Sequence, residues 1–166
     1  RCLVQVQNWM SAHVPSLGFW SGNEVVRQSF EHRMPGTMAL PKVAGLNLYR
    51  EAVSCAFIYS SKALPEDQTL QQIFDLSADE IYAAREGEDL IQFVMRGAIR
   101  NADFAGEYNI YVYSLDQAEH LRAALLHSGF TTVDLVAVPD AGIMDVTRSG
   151  APRVASPTPS EAAARR

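Results

Sequence analysis

An α/β fold with a mainly parallel sheet and helices on both faces is predicted by three observations. Val53 to Tyr59 is a nearly continuous apolar run, the pattern of a strand buried on both faces rather than half in water. Strand-like and helix-like stretches alternate along the chain, which favours parallel strands joined by helical crossovers. Two capping boxes, Ser77-Ala78-Asp79-Glu80 and Ser114-Leu115-Asp116-Gln117, start helices between the strand-like stretches. In such sheets ligands bind outside the carboxyl ends of the strands.

Composition narrows the function classes. The chain has 166 residues, enough for one domain with a sizeable core. Hydrophobic content of 48% and charged content of 20% are the ordinary balance of a soluble globular protein. A net charge of −5 excludes a whole-surface DNA-binding footprint, though not a local basic groove. No apolar run reaches the length of a membrane span, and the N-terminus lacks the basic-then-apolar layout of a signal peptide. Cys2 and Cys55 have no CxxC partner, so neither a zinc site nor a disulfide framework is indicated. A cytoplasmic, reducing setting is expected. The chain opens on Arg1 and at once on an apolar stretch, as a piece of something longer would.

Taken in order, residues 2–7 read as a strand on Leu3, Val4 and Val6. Residues 8–20 read as a loop holding a short helical turn, with Pro15, Gly18 and the aromatic pair Phe19-Trp20. Asn23 is placed to cap a helix over 24–33 with Val25, Val26 and Phe30 as its stripe, ended by Pro35-Gly36. Residues 38–44 read as a short strand which Pro41 confines to an edge or an end. Gly45-Leu46-Asn47 reads as a turn, and Leu48–Glu51 as one helical turn. After the buried strand, Pro65 fits the first position of a helix to Leu76, with Leu70, Ile73 and Phe74 as its core face.

The Ser77 box opens a helix toward Gly87, and a second helix follows as far as Arg100. Residues 101–107 form a loop, and Tyr108–Tyr113 a strand. The Ser114 box opens a helix to His127 with Leu121, Ala124 and Leu125 inward. Gly129 stands where a C′ glycine belongs. Residues 132–138 read as a last strand. The domain spans 1–146, and 147–166, rich in Pro, Ser, Ala and Arg, is expected to be a disordered tail.

The candidate chemistry centres on Leu90 to Arg100. Only Gln92, Arg96 and Arg100 are neither apolar nor small there. They lie four apart, and on a helix each such step turns by roughly 40°, so they would form one polar stripe. A helix otherwise apolar all round is a buried one, and its stripe should line a cleft or an interface. Two arginines there call for an anionic partner or extensive hydrogen bonds, and a phosphate fits the guanidinium fork. Against this stands an ordinary structural helix whose arginines pair with acids elsewhere; the spacing alone divides the two evenly.

Other candidates are weaker. Gly45 permits close backbone approach to a ligand and Asn47 can bond a ribose or a backbone, although a plain turn is the commoner meaning. The four histidines lack metal-ligand spacing. Glu66 and Asp67 are adjacent carboxylates, better suited to the first turn of a helix than to acid–base work. GxSxG, GxxxxGK[ST] and GxGxxG are all absent, so any nucleotide chemistry draws on only part of a site here.

Gln92-Phe-Val-Met-Arg96-Gly-Ala-Ile-Arg100 resembles motif VI of superfamily 2 (DEAD/DEAH-like) helicases, and Gly45-Leu46-Asn47 resembles their motif V. Pro41 to Phe130 is similar to the second, C-terminal RecA-like lobe of such helicases in phages and mobile elements. The usual motif spaces its arginines three apart, whereas here they are four apart.

The resemblance implies a lobe that closes over ATP held, with magnesium, by an N-terminal RecA-like lobe absent from this chain. Arg100 would be the main arginine finger, Arg96 its partner, and Gln92 would position nucleotide or water. Gly45 and Asn47 would line the cleft and couple it to a DNA or RNA strand. Alone, such a chain is expected to be inactive. The alternative is a non-enzymatic α/β module that binds nucleic acid or protein, with the stripe as an ion-pair network or docking face.

Overall fold

The computed structural model describes residues 2–42, 47–59 and 72–141. Among the described residues four strands form one sheet in the order β2-β1-β3-β4: β1 (Phe19–Gly22), β2 (Thr37–Met38), β3 (Ser54–Ile58) and β4 (Asn109–Val112). Every pairing is parallel, with Phe19 opposite Thr37 and Cys55, and Cys55 opposite Ile110. The expected mainly parallel α/β architecture is therefore present.

Helices cover both faces, and the pleat of β3 explains how. Cys55 and Phe57 point to one face, where they pack with Phe19, with Leu90, Phe93 and Val94 of α4 (Glu88–Val94) and with Leu121 and Leu125 of α5 (Leu115–His127). Ala56 and Ile58 point to the other, against Trp20, Met10 of α1 (Cys2–His13) and Phe30 of α2 (Glu24–Phe30). All five residues of β3 are buried, as its apolar run requires. The Phe93 ring lies 4.9 Å from Phe19 and 5.2 Å from Phe57, centroid to centroid. Burying each of these rings contributes about 1.5–3 kcal/mol of transfer free energy.

Local signals explain the helix ends. Ser77 and Glu80 form the reciprocal box: Glu80 N–H donates to Ser77 Oγ at 3.2 Å and Ser77 N–H to Glu80 Oε2 at 2.8 Å. That starts α3 (Ala78–Tyr82), which continues through a π turn, Ala83–Gly87, into α4. Ser114 Oγ accepts from the Gln117 N–H at 3.2 Å. Only half of that second box is made, because the Gln117 side chain turns inward instead of reaching back. Gly129, at φ 97, closes α5: its N–H and that of Phe130 return to the Leu126 and Leu125 carbonyls.

Several expectations are corrected. Residues 2–7 are not a strand but the start of α1. Leu3, Val6 and Met10 pack inward at helical spacing, while Val4 is exposed. The loop expected over 8–20 is confined to 14–18: residues 8–13 belong to α1, and 19 and 20 open β1, whose four residues are all buried. Asn23 occupies the N-cap position of α2 without a side-chain cap bond, and the helix stops at Phe30 rather than 33. Residues 48–51 are a turn rather than a helical one.

The expected last strand, 132–138, forms no ladder: its Val133 carbonyl is taken by Arg122 Nε, and Val136 stays exposed. The helix expected from 65 to 76 falls mostly outside the described residues. Ile73 and Phe74, two of its expected core residues, are exposed. The expected tail, 147–166, lies outside them too. No described helix is long and apolar enough to cross a membrane.

The most consequential correction concerns the stretch that ends at Arg100. The helix does not run through it: α4 ends at Val94, and Ala98–Arg100 is a separate 3-10 turn. Gly97 between them is in extended backbone, and a Cβ there would meet the Tyr108 Oη at 2.0 Å. That hydroxyl donates to the Val94 carbonyl at the end of α4. The glycine is what lets the tyrosine close over the helix end.

Candidate functional site

Because the helix breaks, Gln92, Arg96 and Arg100 do not share one stripe. Gln92 is exposed on α4 and donates to Glu88 one turn back, at 2.8 Å. Arg96 is buried, 6% exposed. Its guanidinium donates to the Leu40 carbonyl at 2.6 Å and the Pro41 carbonyl at 2.7 Å. These carbonyls follow β2, which stops at Met38 and leaves them without ladder partners. The same guanidinium lies 5.4 Å from the Phe93 ring centroid. Burial pulls the Arg96 pKa below its ordinary value, yet an arginine stays cationic at neutral pH. This residue ties α4 to the strand exit, with its guanidinium committed to two backbone carbonyls.

Arg100 is placed differently. It is exposed, and its Nη2 donates to Asn47 Oδ1, a neutral partner 53 residues earlier. Among the described residues no carboxylate lies within ion-pairing distance of Arg96 or Arg100. Asn47, Arg50, Arg100, Asn101 and Ala102 together line an open cleft of about 340 Å³. The turn that carries Asn47 also carries Arg50, whose N–H returns to the Asn47 carbonyl at 3.4 Å. Arg50 pairs with Glu51 at 3.6 Å, both well exposed, a contact worth little in water.

The cleft sits at the amino-terminal end of β3 and β4. The Ala98 N–H donates to the Ala52 carbonyl, and the Asn109 N–H to the Val53 carbonyl, just before β3 begins. Of the residues singled out in sequence, the fold thus brings Asn47 and Arg100 together and sends Gln92 and Arg96 elsewhere. Gly45 and Leu46 lie outside the described residues, as do Glu66 and Asp67. Arg50 carries no motif. Its one legible signal is its place three residues after Asn47 in a single turn.

At the opposite end of the sheet, sequence reasoning missed a buried polar pair. Glu86 and Gln117 are 2% and 0% exposed. Gln117 Nε2 donates to Glu86 Oε1 at 2.6 Å and to the Tyr59 carbonyl at 2.9 Å. The π turn Ala83–Gly87 presents Glu86 inward, which a regular α-helical count would not reveal.

The remaining reactive groups have structural places. Cys55 is fully buried, and that burial pushes its thiol up to about 12, so it is no nucleophile. His13 stacks on Trp9, and His120 packs edge-on to Tyr82. No metal-binding group of His, Cys, Asp and Glu exists among the described residues. Comparison with protein-family models, with curated proteins and with solved structures finds no match.

Proposed function

We propose that this chain is the second, C-terminal lobe of a nucleic-acid-dependent ATPase or helicase, with Arg100 as the arginine that meets the phosphates of ATP. The observation that carries the reading is the state of Arg100. It is exposed, held by a neutral amide, free of any acid among the described residues, and set in an open cleft beside a second arginine. An arginine spent on fold stability would be buried against acceptors, as Arg96 is. Such an arginine stabilises charge on a transferring phosphoryl group without forming a bond to it. Asn47 holds the guanidinium in place. ATP and magnesium would be held by a first lobe, and the open shape of the cleft suits a ligand shared between two bodies.

The test is ATP turnover with the ATP-holding lobe supplied, stimulated by DNA or RNA. Arg100→Ala should cut turnover about a thousandfold or more. Arg96→Lys should reduce it only as far as it unfolds the protein. Unchanged turnover in Arg100→Ala would remove the finger role.

A second reading is favoured by one observation. The cleft lies at the amino-terminal end of β3 and β4, whereas open α/β sheets bind nucleotides outside the carboxyl ends. On that reading the chain is a non-enzymatic interaction module whose arginines dock on the backbone of a nucleic acid. It expects oligonucleotide binding that weakens steeply with salt, and no ATP turnover with any lobe.

A further inference from the structure

The side chains of the residues that line the cleft around Arg100 are rich in hydrogen-bond donors and carry no charged acceptor. Asn47 Oδ1 accepts from Arg100, and Asn101 Oδ1 accepts from the Asp103 N–H at 3.2 Å. These contacts orient both amides, and each nitrogen keeps N–H to give. The other polar side chains among the lining residues are those of Arg50 and Arg100, whose guanidinium groups have no acceptor atom. No carboxylate lines the cleft among the described residues. Glu51 pairs with Arg50 from outside the lining, through an exposed contact that a stronger anion displaces.

From this geometry we infer that Asn47, Arg50, Arg100 and Asn101 form an oxyanion site whose ligand is a terminal phosphate group. Four donor groups carrying two positive charges match a dianion with three free oxygens better than a phosphodiester, which has one charge and two free oxygens. Arg50 and Asn101 thus become binding residues beside Arg100. The inference deepens the proposed reading by naming what the cleft takes, and it rests on that reading only for the role of Arg100. Ligand binding here needs no other lobe.

The experiment is titration of the full 166-residue chain with tripolyphosphate at low ionic strength, followed by calorimetry. A short single-stranded oligonucleotide lacking terminal phosphates is the comparison ligand. Saturable tripolyphosphate binding is expected, weakened about tenfold by Arg50→Ala and by Arg100→Ala, the loss of one charge-assisted contact. Asn101→Asp should weaken it as well by placing a carboxylate among the donors, while Arg33→Ala, in the turn after α2 and outside the cleft lining, should leave it unchanged.

Absence of saturable binding would overturn the inference. So would binding indifferent to both arginines, or tighter binding of the oligonucleotide. The two levels fail separately. Loss of ATP turnover in Arg100→Ala with no tripolyphosphate binding keeps the ATPase reading and removes this site. Tripolyphosphate binding with normal turnover in that variant keeps the site and removes the finger.

Discussion

Arg96 and Arg100 stand four residues apart in one peptide, and they do opposite work. Arg96 lies at the end of α4, buried, with two backbone carbonyls on its guanidinium and an aromatic ring beside it. Arg100 lies beyond the break at Gly97, exposed, with one neutral side-chain partner. The difference arises in the backbone between them. Had the helix continued, both would share a face; the glycine under Tyr108 turns the chain, and one arginine goes inward while the other goes to the cleft. Identical chemistry is a buried tie in one place and an exposed group at a cleft in the other.

The largest expected effect breaks the inward half. Arg96→Ala removes two charge-assisted hydrogen bonds and leaves the Leu40 and Pro41 carbonyls without donors. It should lower stability by about 3 kcal/mol in urea unfolding. Arg96→Lys, which keeps the charge but not the fork, should recover part of that loss. Arg100→Ala should cost no more than about 0.5 kcal/mol, as surface changes do. Equal losses from the two alanine variants would erase the contrast.

An intermediate effect tests the scaffold that carries both arginines. Ser114→Ala removes the oxygen that caps α5 and should cost about 1 kcal/mol by the same measurement. Because Gln117 is anchored by Glu86 and Tyr59 rather than by Ser114, its side chain should stay in place in the variant.

The smallest effect is one of pH. The Ser77 N–H and hydroxyl hold the Glu80 carboxyl below its ordinary value. A carboxyl whose folded pKa is depressed stabilises the protein above its unfolded pKa, about 4.3, and loses that contribution as pH falls through the folded value. Ser77→Ala should therefore be less stable than the parent near neutral pH, and the gap should narrow in unfolding curves taken below that value.

Much of the scaffold was legible because short-range chemistry dictates it. The apolar run of β3, the two serine starts and Gly129 act through neighbours within a few residues, and each does as its pattern says. Residues 2–7 misled because a short apolar run suits a strand and a buried helix alike. Its helical register emerges only when Leu3 and Val6 are joined to Met10. Residues 132–138 are rich in the apolar residues of a strand, but no ladder forms on them, and a side chain occupies one of their carbonyls.

The site was half legible. Arg100 and Asn47 could be picked out by residue type and order, but their contact spans 53 residues and depends on how Ala98 docks at Ala52. Arg50 joins them through a turn with no signature of its own. The turn at Gly97 is packed under Tyr108, a residue outside the stretch, so the spacing within that stretch could not reveal it.

One measurement separates the roles of the two arginines. It is the urea unfolding midpoint of the parent, Arg96→Ala and Arg100→Ala proteins, each with and without saturating tripolyphosphate. A ligand that binds only the folded state raises its stability by mass action. Arg96→Ala should unfold at markedly lower urea yet keep the rise caused by tripolyphosphate. Arg100→Ala should unfold near the parent midpoint and lose most of that rise. The reverse pattern, a collapsed midpoint in Arg100→Ala and a lost ligand response in Arg96→Ala, would contradict the account.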